Sequence, residues 1–234
     1  MISVPDTLNE QARTAALRDA QQKALALFDE IARDLIRPGI TEHELSAEIH
    51  ALAAARFGVE THWHKRVIRA GPNTLTTYND EPADRTIAAD DILFVDLGPV
   101  FAAWEADFGR TYVLGDDPAK LALRDALAPV FATVKAHFDA HPEITGAELY
   151  QAACDLSAAA GWEFGGTIAG HLVGAFPHER IEGNRTTLYI TPGCTTKLHQ
   201  PDASGLKRHW ILEIHLVDRA RGIGGFYEQL LTVG

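Results

Sequence analysis

The chain has 234 residues, of which 46% are hydrophobic, and a formal net charge of -11. Such a chain can bury a substantial core, whereas its negative charge disfavours binding to nucleic acid or to anionic membrane surfaces. No apolar run is long enough to span a bilayer, the N-terminus lacks the features of a signal peptide, and Cys154 and Cys194 are too few for a disulfide framework. We therefore expect a cytoplasmic protein without nucleic-acid or membrane partners.

Four helices are predicted from periodic apolar residues and from start and stop signals. A threonine followed three residues later by glutamate, at Thr41 and again at Thr145, is a capping box that begins the second and fourth helices. Asp117 before Pro118 begins the third helix. The predicted helices cover residues 9–37, 41–57, 117–137 and 146–160.

Apolar or alternating runs predict strands near residues 65–70, 92–97 and 107–114, and the later runs WILEIHLV and FYEQLLTV are also strand-like. The element order is therefore two helices, a group of strands, two helices and a second group of strands. This α+β order indicates two related halves around a common cleft, although the sequence shows no strong internal repeat. No interdomain linker is visible, so residues 1–234 are expected to form one domain.

Five residues that can bind metal lie in short apolar or Gly-bounded segments, where a charge is costly to bury. Asp96 ends the run ILFVD and Asp107 opens DFGRTYVL, so one hairpin could bring both carboxylates together. Two more acids each interrupt one of the later strand-like runs. The five residues are Asp96, Asp107, His171, Glu213 and Glu228.

Each of the five, taken singly, has an ordinary structural interpretation. Asp96 could cap a turn, Asp107 could pair with Arg110, Glu228 could face water on an edge strand, and His171 could be a hydrogen-bonded core histidine. Their joint occurrence favours a two-metal site instead, because two divalent cations would cancel the four repelling carboxylate charges. Oxygen-rich ligands with one imidazole suit Mn²⁺, our first choice, or Co²⁺, Zn²⁺ or Fe²⁺ better than a thiolate-binding ion.

The sequence resembles the pita-bread metallopeptidases, a family that includes methionine aminopeptidases, aminopeptidase P and prolidases, and also the metal-free creatinases. The motifs VDLGP around Asp96, DFGRT from Asp107 and GHLVGAFPHE from Gly170 carry the resemblance, which covers most of the chain. It implies a pita-bread fold of two pseudo-symmetric halves around a metal cleft, with no extra N-terminal domain. It also implies two divalent metal ions bound by the five residues named above.

The resemblance further implies roles in catalysis and substrate binding. His178 would contact the substrate and steady the tetrahedral intermediate, Glu213 would act as general base, and Glu228 would bridge the metals. Thr77 and Tyr78, in LTTYNDEP, match the His-Tyr pair at the substrate site of Xaa-Pro peptidases. The implied enzyme is a homodimeric hydrolase that removes an N-terminal residue from short peptides, as an Xaa-Pro aminopeptidase or dipeptidase.

The most important departure from the family pattern is Thr77, which replaces a histidine that positions substrate or passes a proton to the leaving amine. His62 or His64, in the run THWHKR, could supply an imidazole instead, but the favoured interpretation of each is an exposed, solvated side chain. Four tryptophans are assigned no role, because such residues are more often core or rim.

Two further departures concern the walls of the site. Leu172 replaces a glycine, and Ile214 and His215 stand where a proline is expected after the fourth ligand; both changes should alter the pocket walls. The polar loop CTTKLHQPDASGLKRH is longer than the family's link, and such a loop either sets substrate choice or is surface variation.

Three other functions stay open. The protein could hydrolyse a non-peptide amide or amidine, although retention of all five ligands argues against a metal-free version. It could be a catalytically weak module that binds peptides. It could also bind metal only to hold its halves together, a role that Thr77 leaves open. Metal-dependent turnover would separate the enzymes from the last of these.

Overall fold

The structure is a computed structural model that describes residues 10–177, 185–202 and 205–233. The first half contains α1 (Glu10–Asp34), α2 (Glu42–Phe57), β1 (Val67–Ala70), β2 (Ile92–Leu97), β3 (Val100–Phe101), β4 (Trp104–Glu105) and β5 (Phe108–Val113). The second half contains α3 (Pro118–Ala140), α4 (Gly146–Ala159), β6 (Glu163–Phe164), β7 (Leu172–Val173), α5 (Arg185–Leu188), β8 (His209–Asp218) and β9 (Ile223–Leu230). A 3-10 turn over Gly71–Leu75 follows β1.

The helices begin where their capping residues predict. The Thr41 hydroxyl accepts a hydrogen bond from the Glu44 amide at 3.1 Å, and the Glu44 carboxylate accepts one from the Thr41 amide at 2.9 Å. Thr145 forms the equivalent box at α4, and the Asp117 carboxylate caps α3. Gly58, at a φ of 64°, ends α2 in a left-handed conformation that residues with a Cβ adopt less readily. The four predicted helices are confirmed.

One antiparallel sheet joins the two halves in the order β1-β2-β5-β9-β8-β6, with β7 paired to β8. From one edge the order is β1, β2 and β5 of the first half, and from the other edge it is β6, β8 and β9 of the second half. The halves meet at the centre, where Gly109 of β5 lies opposite Glu228 of β9. This palindromic order confirms the two related halves that the sequence predicts.

The helices pack chiefly against the strands of their own half, although Leu17 of α1 also packs with Ile211 and Leu230 of the second half. Leu27, Ile31 and Leu45 lie in one buried cluster with Leu93 and Val95 of β2. A second cluster joins residues of α3 and α4 to β8, and it includes Leu127, Val134, Leu149, Leu212 and Ile214. Within the described ranges, none of the helices combines the length and apolar character needed to cross a membrane.

Thr74, in the 3-10 turn of the first half, is a buried link to the second half. Its hydroxyl accepts a hydrogen bond from the Gly224 amide at 2.8 Å, and its carbonyl accepts one from His215 Nε2–H at 2.8 Å. Thr74→Val keeps the shape but leaves the Gly224 amide unpaired, so we expect unfolding free energy to fall by about 1–3 kcal/mol. Urea denaturation measures this. The control Thr133→Val, on exposed α3 surface, should change stability by less than about 0.5 kcal/mol.

Candidate metal centre

Strand alternation separates the cores from a cavity on the other face of the sheet. Successive side chains of a strand point to opposite faces, so the neighbours of each core residue on β2, β8 and β9 face away from the helices. The cavity has a volume of about 310 Å³. The alternating residues that line it are Phe94, Asp96, Glu213, His215, Phe226 and Glu228.

All five predicted metal ligands meet in this cavity. His171 Nε2 lies 2.8 Å from Asp107 Oδ2, 3.8 Å from Glu213 Oε1 and 3.9 Å from Glu228 Oε1. Glu213 and Glu228 are direct partners in the register of β8 and β9. Asp96 lies on β2 opposite Gly109 of β5. Asp107 directly precedes β5, so the two aspartates lie close together. The sheet therefore assembles residues that are far apart in sequence.

The structure contradicts the separate structural interpretations of Asp96, Asp107 and Glu228, whereas His171 is buried and hydrogen-bonded, as its structural interpretation expects. Asp96 lies within β2, and Glu228 is 2% exposed on central strand β9 and does not face water. The Arg110 guanidinium donates hydrogen bonds to the Glu228 carbonyl at 2.9 Å and to the Gln229 side-chain oxygen at 2.5 Å. These contacts replace the predicted ion pair with Asp107. Its guanidinium packs between the rings of Phe108 and Tyr227.

Burial, together with the charges of neighbouring groups, shifts the pKa values of the acids in this cavity. Burial raises the pKa of Asp96 to about 7 and that of Glu213 to about 8, and it also raises the pKa of Glu228 well above its usual value. Burial opposes ionisation of Asp107 too, but the imidazoles of His64 and His171 hold its pKa below the usual range. Without cations, the carboxylates can share the cavity only by retaining protons.

The donor atoms fit two divalent cations. Asp107, His171 and Glu228 offer ligand atoms within 4.8 Å of one another, and so do His64, Asp96 and Asp107. The two sets share Asp107, whereas Glu228, the predicted bridging ligand, belongs to one of them and Glu213 to neither. Among the described residues, the buried oxygens Asp96 Oδ1 and Glu228 Oε2 have no hydrogen-bond partner. Because an unsatisfied buried oxygen is costly, these atoms are suited to a cation.

His64 is the site residue for which the sequence interpretation is wrong. Its side chain is 7% exposed, not solvated, and its Nε2 lies 3.1 Å from Asp107 Oδ1 and 3.6 Å from Asp96 Oδ1. Burial alone would lower the pKa of His64, but the charges of Asp107 and Asp96 outweigh it and raise that pKa to about 9. The nearby His62 is half-buried and does not line the cavity.

The predicted substrate-binding residues fall at the rim of the cavity or outside the described ranges. Thr77 and Tyr78 both line it. The Thr77 amide and hydroxyl donate to Asp80 at 2.6 and 2.8 Å, while Tyr78 is 47% exposed, with its ring 5.9 Å from that of His64. His178 lies outside the described residues.

Of the residues predicted to alter the walls of the cavity, only some line it. His215 lines the cavity, whereas Leu172 packs in the second-half core and does not. Trp63, to which the sequence assigns no role, lines the cavity and donates from Nε1 to the Ala106 carbonyl at 3.1 Å. The described part of the long loop packs on α3 and α4, where the His199 ring stacks on Phe138, and it does not line the cavity.

The pKa shifts predict how stability depends on pH. Glu213 and Asp96 bind protons more tightly when folded, since their pKa values rise from 4.5 and 3.8 to about 8 and 7. The stability they give is present below pH 4 and is lost as pH rises to 8. Metal-free protein should therefore lose several degrees of melting temperature between pH 5 and 8, measured by calorimetry in chelator. Saturation with Mn²⁺ should remove most of this loss; an equal loss with metal would contradict the site.

Comparison with known proteins identifies relatives of this chain. A sequence model described as metallopeptidase family M24 matches residues 15–203. An Xaa-Pro dipeptidase from Lactobacillus helveticus is 28% identical over 165 residues, which are 68% of this chain and 44% of that protein. The chain therefore spans less than half of this relative's length.

Solved structures share the fold at low sequence identity. Prolidase from Thermococcus sibiricus matches with a TM-score of 0.70 and 18% identity, over 94% of this chain and 56% of that one. X-Pro aminopeptidase from Thermotoga maritima matches with a TM-score of 0.70 and 17% identity, over 96% of this chain and 62% of that one. The predicted pita-bread fold is thereby confirmed.

Proposed function

Because the chain belongs to metallopeptidase family M24, we propose that it is a dinuclear metal-dependent hydrolase that removes the N-terminal residue from short peptides. We assign it to the Xaa-Pro aminopeptidase or dipeptidase type. The observation that carries the proposal is the convergence of four carboxylates and His171 on one cavity, with two donor sets that share Asp107. The names of the matched relatives support the Xaa-Pro preference.

The metal ligands in this proposal are Asp96, Asp107, His171, Glu213 and Glu228. Two divalent ions held by them would polarise the scissile carbonyl and make water more acidic. His171 Nδ1–H donates to the Leu172 carbonyl at 2.8 Å, so Nε2 is the ring atom that faces Asp107 and would bind a cation once its proton is released.

Glu213 is the proposed general base, because it is the least buried of the cavity's four acids. Its side chain is 14% exposed, compared with 12% for Asp96, 3% for Glu228 and 2% for Asp107. A carboxylate that reaches the open space can take a proton from the attacking water and return it to the leaving amine. We propose His178, from the resemblance alone, as the group that contacts the substrate and steadies the oxyanion.

The shape of the cavity supports a short, partly apolar substrate. Val67, Phe94 and Phe226 form a buried apolar cluster that also lines the cavity, beside the carboxylates. Such a wall can pack against a proline ring, while the polar groups orient the peptide. Thr77 and Tyr78, at the rim, are the proposed contacts for the residue before the scissile bond.

Metal-stripped protein incubated with a library of short peptides, with and without Mn²⁺, Co²⁺ or Zn²⁺, tests the proposed reaction. The library pairs each Xaa-Pro peptide with the same sequence carrying alanine in place of proline, and products are read by mass spectrometry. We expect metal-dependent release of one N-terminal residue, with faster cleavage before proline. Equal rates for both members of each pair would overturn the Xaa-Pro assignment, and internal cleavage would overturn the aminopeptidase assignment.

We further propose Mn²⁺ as the native metal, a homodimer as the assembly and the cytoplasm as the location. Oxygen donors outnumber nitrogen donors in the cavity, which favours Mn²⁺. Twofold assemblies are the most common among soluble oligomers. Cys154 and Cys194 are both unpaired, which suits a reducing compartment.

A further inference from the structure

His64 and His171 approach Asp107 in the same way from its two oxygens. Each donates from Nδ1–H to the carbonyl of the next residue, Lys65 or Leu172, at 2.6 and 2.8 Å. Nε2 of His64 lies 3.1 Å from Asp107 Oδ1, and Nε2 of His171 lies 2.8 Å from Asp107 Oδ2. Because a carbonyl can only accept, both Nδ1 atoms carry a proton, and a neutral ring then presents a lone pair at Nε2.

Each histidine lies beside the second strand from one edge of the sheet. The chain beside His64 runs along the end of β2, where the Trp63 amide donates to the Gly98 carbonyl at 2.9 Å. The chain at His171 runs along β8, where the Ile211 amide donates to the His171 carbonyl at 2.8 Å. Each histidine is therefore held next to a strand that carries an acid of the cavity, Asp96 on β2 or Glu213 on β8. They approach from different ends of these strands, because Gly98 follows Asp96 whereas Ile211 precedes Glu213.

Gly98 allows His64 to come this close. A Cβ at Gly98 would collide with the imidazole of His64 and with Nε1 of Trp63. The bare backbone after Asp96 is therefore required for these rings to pack over β2 beside the carboxylates. Because the ring is buried, its Nε2 faces the carboxylate oxygens of Asp107 and Asp96 and not bulk water.

We infer that His64 is a sixth protein ligand of the metal centre, on the side of Asp96, so that each of the two divalent ions has one imidazole. The donor atoms of His64, Asp96 and Asp107 lie within 4.8 Å of one another, matching the set built on His171. Asp96 Oδ1, 3.6 Å from His64 Nε2, is buried without a hydrogen-bond partner in the described part of the chain. A cation between them would satisfy both atoms.

A second imidazole changes which ions the centre prefers. Imidazole suits Co²⁺ and Zn²⁺ better than it suits Mn²⁺, whose usual partners are oxygens. His64→Phe should therefore weaken binding of the ion on the Asp96 side by at least about tenfold for Co²⁺, and by less for Mn²⁺. Calorimetric titration of metal-stripped protein measures both affinities.

Proton NMR of the Co²⁺-loaded protein tests the ligand directly. Each coordinated histidine gives a strongly shifted, exchangeable Nδ1–H signal, so the full chain with two equivalents of Co²⁺ should show two such signals. His64→Phe should keep only the signal of His171. The control His62→Phe, two residues away and outside the cavity lining, should keep both. A single signal in the unaltered protein, or two signals in His64→Phe, would overturn the inference; the first result needs no variant to fold.

This inference rests on the proposed two-metal function, yet the two can fail separately. Metal-dependent peptide hydrolysis with one shifted signal would overturn only the sixth ligand. Two shifted signals, of which one is lost in His64→Phe and both survive in His62→Phe, in a protein that hydrolyses no peptide, would support the sixth ligand and remove the peptidase proposal.

Discussion

Asp107→Asn is expected to abolish metal-dependent hydrolysis, with kcat/KM lower by at least about 10³-fold, equivalent to about 4 kcal/mol of transition-state stabilisation. Asp107 is the one residue shared by both donor sets, so its replacement weakens both metal positions together. The amide keeps the size of the side chain and can still bond to the imidazoles of His64 and His171. The loss should therefore come from charge and not from unfolding, and initial-rate kinetics with circular dichroism separate these causes.

A matched control for this variant is Asp90→Asn, an aspartate whose side chain is 77% exposed. It should keep full activity and metal affinity. If Asp107→Asn bound two equivalents of Mn²⁺ as tightly as the unaltered protein and kept its kcat/KM, Asp107 would not be the bridging ligand and the two-metal assignment would be wrong.

Glu213→Gln is expected to lower kcat by about 10²–10⁴-fold, the range that a positioned general base contributes. The amide oxygen can still face a cation, but the side chain can no longer take a proton from water. KM should change little, because the apolar wall that holds the substrate is untouched. Steady-state kinetics measure both parameters. Saturating metal is used because a lower metal affinity would also reduce kcat and could be mistaken for loss of the general base.

Glu228→Gln provides the comparison for Glu213→Gln, since the two residues are paired across β8 and β9. Glu228 is more deeply buried, so its replacement should act chiefly on metal affinity, and excess metal should restore much of its activity. Equal rescue of both variants by metal would assign Glu213 to metal binding only and remove it as the base.

Much of the fold is predictable because its signals are local. Capping boxes at Thr41 and Thr145 fix where helices begin, and single acids within apolar runs mark strands with one face turned to a cavity. The five ligands could be proposed together because a buried carboxylate without a partner is costly wherever it occurs. Their convergence follows from the strand order, which the repeated order of elements indicates.

The position of His64 could not be predicted, because it depends on a contact between distant parts of the chain. The run THWHKR is polar, and polarity alone favours exposure. The ring is buried because Gly98 leaves room for it over β2, and nothing in the local sequence shows that close approach. The run leads into the predicted strand at residues 65–70, but this position does not show which of its side chains is buried.

The long loop after Pro192 illustrates a second limit of local patterns. Its polar composition suits either a substrate-contacting loop or a surface variation. The described part packs against the helices because Leu198 is buried and accepts a hydrogen bond from the indole of Trp210 at 2.8 Å. The position of Trp210 in the second-half core and the stacking of His199 on Phe138 hold the loop there, and both depend on the whole fold.

The most direct test of the central claim is a titration of metal-stripped protein with Mn²⁺, with hydrolysis of an Xaa-Pro peptide and bound metal measured on the same samples. The two donor sets predict that activity is absent in chelator, rises as metal binds and reaches its maximum when two equivalents are bound. Full hydrolysis in chelator, or two bound equivalents without any hydrolysis of short peptides, would contradict the assignment of this chain as a dinuclear metallopeptidase.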